Sequence, residues 1–266
     1  MFKSAIGAVG LILLISCSTA PPIPPAARSE LAPAGKLRAG INYGNVILAS
    51  KDEKSGELRG VHVDLVRELG RRAGVPVELI GFPAASDLVA GLKAGTLDVA
   101  LLSFEPARTG EVVFAPTYVE IDATYLVPPG SSLRNAADVD KDGVRIAIAA
   151  KSVYEFQLSR NLKHAKLLNA PSTHAAYELF VRSKLDALVG LRPRLVVDSG
   201  MMPGSRVVDG RFMVVEQSIA SPRGRDASAK YIREFTEDVK ASGFVARSLE
   251  TNGVRGVSVA PKASAN

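Results

Sequence analysis

The chain has 266 residues, 47% of them hydrophobic and 23% charged, with 33 Lys and Arg against 27 Asp and Glu and no Trp. A net charge of +6 scattered along the chain with few aromatics gives little support to nucleic-acid binding, and a single cysteine excludes a disulfide-stapled fold. The three histidines (His62, His164, His174) lie on separate predicted elements at non-ligand spacing, so neither a metal nor a cofactor is expected.

Lys3 followed by the uncharged apolar run 5–15 has the form of a secretory signal and is too short to span a membrane. The run ends in Leu14-Ile15-Ser16-Cys17, which resembles a bacterial lipobox. That resemblance implies a signal peptide over 1–16 and lipidation of Cys17. Ordinary cleavage near Ala20 is the alternative. Residues 17–35, with PPIPPAA at their centre, are expected as an extended tether outside the packed domain, because proline fixes φ and removes donors. A frayed tail is expected over 261–266.

Between tether and tail the pattern alternates strand and helix, which predicts an α/β fold with largely parallel sheets. Residues 36–41 read as a strand. A helix follows, with Leu65, Val66, Leu69 and Ala73 on one face, Asp64 as its cap and Gly74 as its stop. Strand 77–80, a helix from Ser86 to Gly95 and strand 98–102 complete one unit. A second cycle starts with strand 144–148, a helix opened by Ser152, strand 165–168, a helix opened by Ser172 and strand 185–189. Residues 124–127 and 214–220 read as two connections crossing between the units, and 227–242 as an amphipathic helix returning to the first. The predicted boundaries are 36–125 with 217–260 for lobe 1 and 126–216 for lobe 2.

Several runs resemble, in order and spacing, the bacterial extracellular solute-binding proteins of family 3. They are GELRGVHVDLVRELGRRAGV, LDVALLSFEPARTGEVVFAPTY, VRIAIAAKSVYE, VRSKLDALVG, SIASPRGR and VKASGFVARSLETNGV. The resemblance covers about 36–257. It implies a two-lobed type II periplasmic-binding fold with two crossover strands and a ligand cleft between the lobes. It further implies the substrate-binding component of an ABC importer on the periplasmic side of a bacterial membrane. Such a protein is anchored by its lipid, monomeric, and partnered by an inner-membrane permease and a small carboxylate ligand.

The same resemblance makes Arg108 the carboxylate clamp, with Ser103 beside it. On spacing alone Arg108 is equally a surface arginine paired to Glu105 or Glu111. Asn42 and Tyr43 fall in the loop that faces the ligand side chain. Lys151 and Ser152 fall at a helix start where amides hold an anion, although Ser152 equally reads as a plain cap. Amino-acid-binding members place an aspartate shortly after the strand ending at Val189. This chain reads Gly190-Leu191-Arg192-Pro193-Arg194 instead. A buried ammonium without an anionic partner is costly, so Arg192 is expected to join Arg108 in holding a dicarboxylate or other anion. Phe82, Phe104, Tyr118 and Tyr154 are the candidate stacking aromatics.

Two other readings share this fold. One is a ligand-sensing or interaction module without transport. The other is a dehydratase-like enzyme, which needs a general acid over the ligand. Glu105, Asp122 and Glu155 are conceivable, but no paired carboxylates, phosphate loop or nucleophile elbow single out a catalytic residue.

Overall fold

The structure, a computed structural model, describes residues 22–150 and 152–264. The expected signal peptide, Cys17 and Lys151 lie outside the described residues.

The first described element corrects the expected tether. Residues 25–31 form helix α1 (Pro25–Leu31). Pro25 sits in its first turn, where a fixed φ and a missing N–H cost nothing. Ala27 and Leu31, one turn apart, are buried. The carbonyl of Glu30 accepts from Arg225 Nη1 at 3.0 Å and its Oε2 from the backbone N–H of Ser228 at 2.8 Å, fastening α1 to the body.

Strand β1 (Leu37–Asn42) leads through a short hairpin, β2 (Ser50–Lys51) and β3 (Leu58–Arg59), to helix α2 (Val61–Ala73). The N-cap of α2 is Gly60, not Asp64. At φ 117°, with Leu48 O 2.5 Å from where a Cβ would stand, only glycine fits there. Asp64 instead accepts from Ser248 Oγ at 2.6 Å and Asn252 Nδ2 at 2.8 Å. Strand β4 (Val77–Phe82), helix α3 (Ala85–Lys93), strand β5 (Val99–Ser103) and the short β6 (Val112–Phe114) follow. The long β7 (Val119–Val127) then leaves this unit.

The second unit holds β8 (Arg145–Ala149), α4 (Val153–Asn161), β9 (Lys166–Ala170), α5 (Thr173–Arg182), β10 (Ala187–Leu191), α6 (Arg192–Gly200) and β11 (Arg206–Val207). The ten-residue β12 (Met213–Pro222) returns to α7 (Asp226–Ala241), α8 (Phe244–Thr251) and β13 (Val257–Val259). The start of the tail is tied down, since Lys240 Nζ donates to Pro261 O at 2.8 Å.

One curled sheet runs β4-β1-β5-β12-β7-β10-β8-β9. Two parallel blocks, β4-β1-β5 and β10-β8-β9, flank the antiparallel pair β12-β7. Strand β7 pairs β12 through residues 119–123 and β10 through 123–126, so it passes from one block to the other. Strand β12 returns, pairing β7 through 213–217 and β5 through 217–220. Each block has its own core. Leu37, Ile41, Leu65, Leu69, Phe235 and Val239 belong to the first; Tyr125, Val127, Ile146 and Ile148 belong to the second. Each such side chain contributes about 1.5–3 kcal/mol by leaving water. No described helix is long and apolar enough to cross a membrane.

Candidate functional site

A cavity of about 390 Å³ opens where the two blocks face each other. Its walls come from strand ends and the loops beyond them, where open α/β sheets bind ligands. The first unit contributes Asn42 at the end of β1, the loop from Gly44 to Ile47, Pro83 and Ala84 after β4, and Ser103 at the end of β5. Facing them are Tyr154 on α4, Thr173 at the start of α5, Gly190 and Leu191 at the end of β10, and Arg194 on α6. Val215 and Gln217 come from β12.

Local chemistry shapes these walls. Asn42 Oδ1 accepts from the backbone N–H of Gly44 at 3.0 Å, folding the loop after β1 into an Asx turn. Gly44 runs against Pro83 O, which would stand 2.2 Å from a Cβ. Gln217 is almost fully buried; its Nε2 donates to Ser103 Oγ at 2.8 Å, and its Oε1 has no partner. Arg194 Nε donates to Asp198 Oδ1 at 2.8 Å, one helical turn on. Burial lifts the Asp198 carboxyl above its ordinary range, with Arg194 opposing the shift.

Of the residues expected to form the site, Asn42 and Ser103 line the cavity. Tyr43 does not. It packs against the first core, with Lys51 Nζ 5.4 Å from its ring centroid. Ser152 caps α4: its hydroxyl accepts from Glu155 N at 3.1 Å and donates to Ala149 O at 2.7 Å, so both of its roles are used.

Arg108 and Arg192 are not among the described residues that line the cavity. Arg108 ends a 3₁₀ turn (Pro106–Arg108), with its Nε on Glu105 Oε2 at 3.0 Å, and it does not line the cavity. Only four residues separate Ser103 from Arg108, and the tight turn opened by Pro106 brings the guanidinium back onto Glu105. Its Nη1 is buried without a partner. Arg192 braces the start of α6 against the crossover strand β7 and the loop after β11. Its fork holds Asp122 Oδ2 at 3.3 Å, Val208 O at 3.3 Å and Gly210 O at 2.6 Å. Among the described residues that line the cavity the cation is Arg194, two residues later.

The aromatic candidates separate likewise. Tyr154 lines the cavity, whereas Tyr118 is in the first core and Phe104 stacks edge-to-face on Phe114 at 5.2 Å. The carboxylates conceivable as general acids are engaged elsewhere: Glu105 with Arg108, Asp122 with Arg192 and Arg211, and Glu155 with Asn169. Among the described residues no cluster of three metal-ligating side chains exists.

Sequence reasoning missed Arg194 and Gln217. Arg194 had a signal, since Pro193 opens a helix that sets residues 194 and 198 on one face as an i, i+4 pair. Gln217 had a weaker one, as an uncharged polar residue in a strand running from one unit to the other.

Curated proteins contain no match to the chain. Solved structures share its fold. An ancestral cationic amino-acid solute-binding protein is 22% identical, with a TM-score of 0.69 over 85% of this chain and 98% of its own. A binding component of an ABC transporter from Wolinella succinogenes, complexed with lysine, is 22% identical, with a TM-score of 0.68 over 82% and 95%. An ancestral cyclohexadienyl dehydratase is 21% identical, with a TM-score of 0.56 over 85% and 95%. All three share the two-lobed periplasmic-binding architecture. Residues 37–252 match the model of one family, and the chain belongs to the bacterial extracellular solute-binding proteins, family 3.

Proposed function

We propose that the chain is the substrate-binding component of an ABC importer. It takes a small carboxylate-containing solute between lobe 1 (36–125 and 217–260) and lobe 2 (126–216). The observation that carries this reading is the interlobe cavity itself, lined from both lobes by Asn42, Ser103, Tyr154, Thr173 and Arg194. The crossover strand β12 lines the cavity through Val215 and Gln217, and hinge closure of the two lobes would bury whatever sits there. Secretion, anchoring through Cys17 and delivery to an inner-membrane permease complete the reading.

The test is a thermal-shift screen of the purified chain across organic anions and amino acids. A bound solute at a hundred times its dissociation constant stabilises the fold by about 2.7 kcal/mol. A protein stabilised by no solute would be an interaction module and not a solute carrier.

A further inference from the structure

Strand β7 has different partners on its two edges. Along one edge β12 pairs it without a break from residue 119 to 123. The other edge is shared end to end by two strands from different lobes. Strand β10 of lobe 2 occupies residues 123–126, with Leu191 opposite Ala123. Strand β13 of lobe 1 occupies residues 119–121, with Val257 opposite Ile121. Only Asp122 lies between them, at the point where β7 passes from one lobe to the other.

The ends of both strands meet at this gap. Arg192, the residue after β10, holds Asp122 Oδ2 at 3.3 Å, and Arg211 Nη1 holds Oδ1 at 2.9 Å. Gly256, the residue before β13, lies against the Arg192 stem. A Cβ on Gly256 would stand 3.4 Å from Arg192 Cγ and 3.6 Å from both Arg192 Cδ and Pro193 Cγ, which is ordinary contact distance. Both flanks of β13 are fastened to lobe 1. Val254 N donates to Leu249 O at 2.9 Å before it, and Ala260 N to Tyr118 O at 3.1 Å after it. Bending β7 at Asp122 therefore changes the spacing between β13 and the start of α6, because each is tied to a different half of the strand.

We infer that Gly256 is a positioning residue of the hinge: its missing side chain sets how closely β13 abuts the start of α6, and with it the angle between the lobes. Gly256 does not line the cavity, and it acts through Arg192 and Pro193. Closure around a solute starts from that angle, so residue 256 sets part of the free energy that solute binding must supply. This rests on the solute-binding reading above and adds to it the residue that fixes the resting position of the lobes.

The experiment reads the interlobe distance without solute, by double electron–electron resonance between nitroxides at Arg233→Cys on α7 and Gln157→Cys on α4. Both positions are exposed, and the single native cysteine, Cys17, is replaced by serine. Histidine and asparagine tolerate a positive φ better than most residues, and so suit Gly256, at φ 72°. A hinge enlarges a displacement at its joint toward the lobe rims, so Gly256→His should move the mean distance by about 3 Å or more. Gly256→Asn should move it the same way by less. Gly253→His is the matched control. Gly253 has φ 66° and nothing within 4 Å of where its Cβ would stand, so the distance should stay at the wild-type value. Gly256→His/Arg192→Ala removes the opposing stem and should return the distance toward the wild type. An unchanged distance in both Gly256 variants, or an equal shift in Gly253→His, overturns the inference. So does a double variant as displaced as Gly256→His alone. No solute enters the measurement, so each of these results leaves the solute-binding reading to its own thermal screen.

Discussion

Gln217 Nε2 donates to Ser103 Oγ at 2.8 Å, and so the second crossover strand is tied to the end of β5 at the cavity wall. The bond is asymmetric in what its loss does. Ser103→Ala leaves the buried amide with neither hydrogen-bonding end engaged and should cost about 1–3 kcal/mol. Gln217→Leu removes the amide altogether and should change stability by less than about 1 kcal/mol. Affinity for a stabilising solute should fall at least 10-fold in both. Urea melts paired with titration would check this. A Gln217→Leu protein that binds normally would show that the open amide oxygen plays no part in recognition.

Arg192 should behave differently from Arg194 although two residues separate them. Its three bonds end on Asp122, Val208 and Gly210, all away from the cavity. Arg192→Ala should therefore cost about 2–3 kcal/mol, the range for charge-assisted bonds to partly buried acceptors. Solute affinity measured well below the melting temperature should stay within a few-fold. A variant of normal stability that no longer binds would return Arg192 to the site.

The contrast between these two arginines shows how far the sequence can be read. Alternating strands and helices, and the extended stretches at 124–127 and 214–220, are local patterns, and they carry the fold. Their order along the chain is enough to imply two blocks joined by two strands. Site membership depends on which way a side chain leaves a turn. Nothing in the letters LRPR says that the first arginine braces β7 while the second faces the cavity. Arg108 differs because a proline two residues before it closes a 3₁₀ turn, and a nearby Glu105 competes for it. The helix at 25–31 was hidden by composition: proline at a helix start and proline in a tether look alike until Ala27 and Leu31 find a surface to bury against.

Asp98 knots the first lobe together. Its carboxylate accepts from Arg38 N at 3.0 Å, Arg38 Nε at 2.9 Å, Arg38 Nη2 at 2.8 Å and Arg225 Nη1 at 2.8 Å. Burial alone would raise its pKa, but the bonds from Arg38 and Arg225 together outweigh burial and hold it below the ordinary range. Arg225 also reaches Glu30 O, so the knot includes α1. Asp98→Ala should cost about 3–5 kcal/mol, since two guanidinium groups lose their shared partner. It should also expose α1 to proteolysis before the rest of the lobe. A variant melting within 1 °C of the wild type would refute the knot.

Acid should destabilise the protein first through His62. The ring is fully buried, neither nitrogen has a partner, and it meets Tyr118 edge-on with centroids 6.2 Å apart. The Tyr118 hydroxyl is also without a partner, so nothing nearby stabilises an imidazolium. Burial lowers the His62 pKa to about 3 in the folded chain, against about 6.5 when unfolded. Between those values the unfolded state binds a proton that the folded state refuses. Stability is therefore full above pH 6.5 and falls by up to about 1.4 kcal/mol per unit as pH drops toward 3. Glu68 and Asp98, whose folded pKa values are depressed, lose their contributions only below the ordinary carboxylate range, near pH 4. Asp198, whose carboxyl burial raises, acts in the opposite direction and is common to wild type and variant, so the difference between the two slopes isolates the histidine. His62→Phe keeps a ring beside Tyr118 and has no proton to bind. Denaturant melts at pH 7, 6 and 5 should show stability falling more steeply in the wild type than in the variant. Equal slopes in the two proteins would mean that the buried ring is protonated as readily as a free one and would overturn this account of His62.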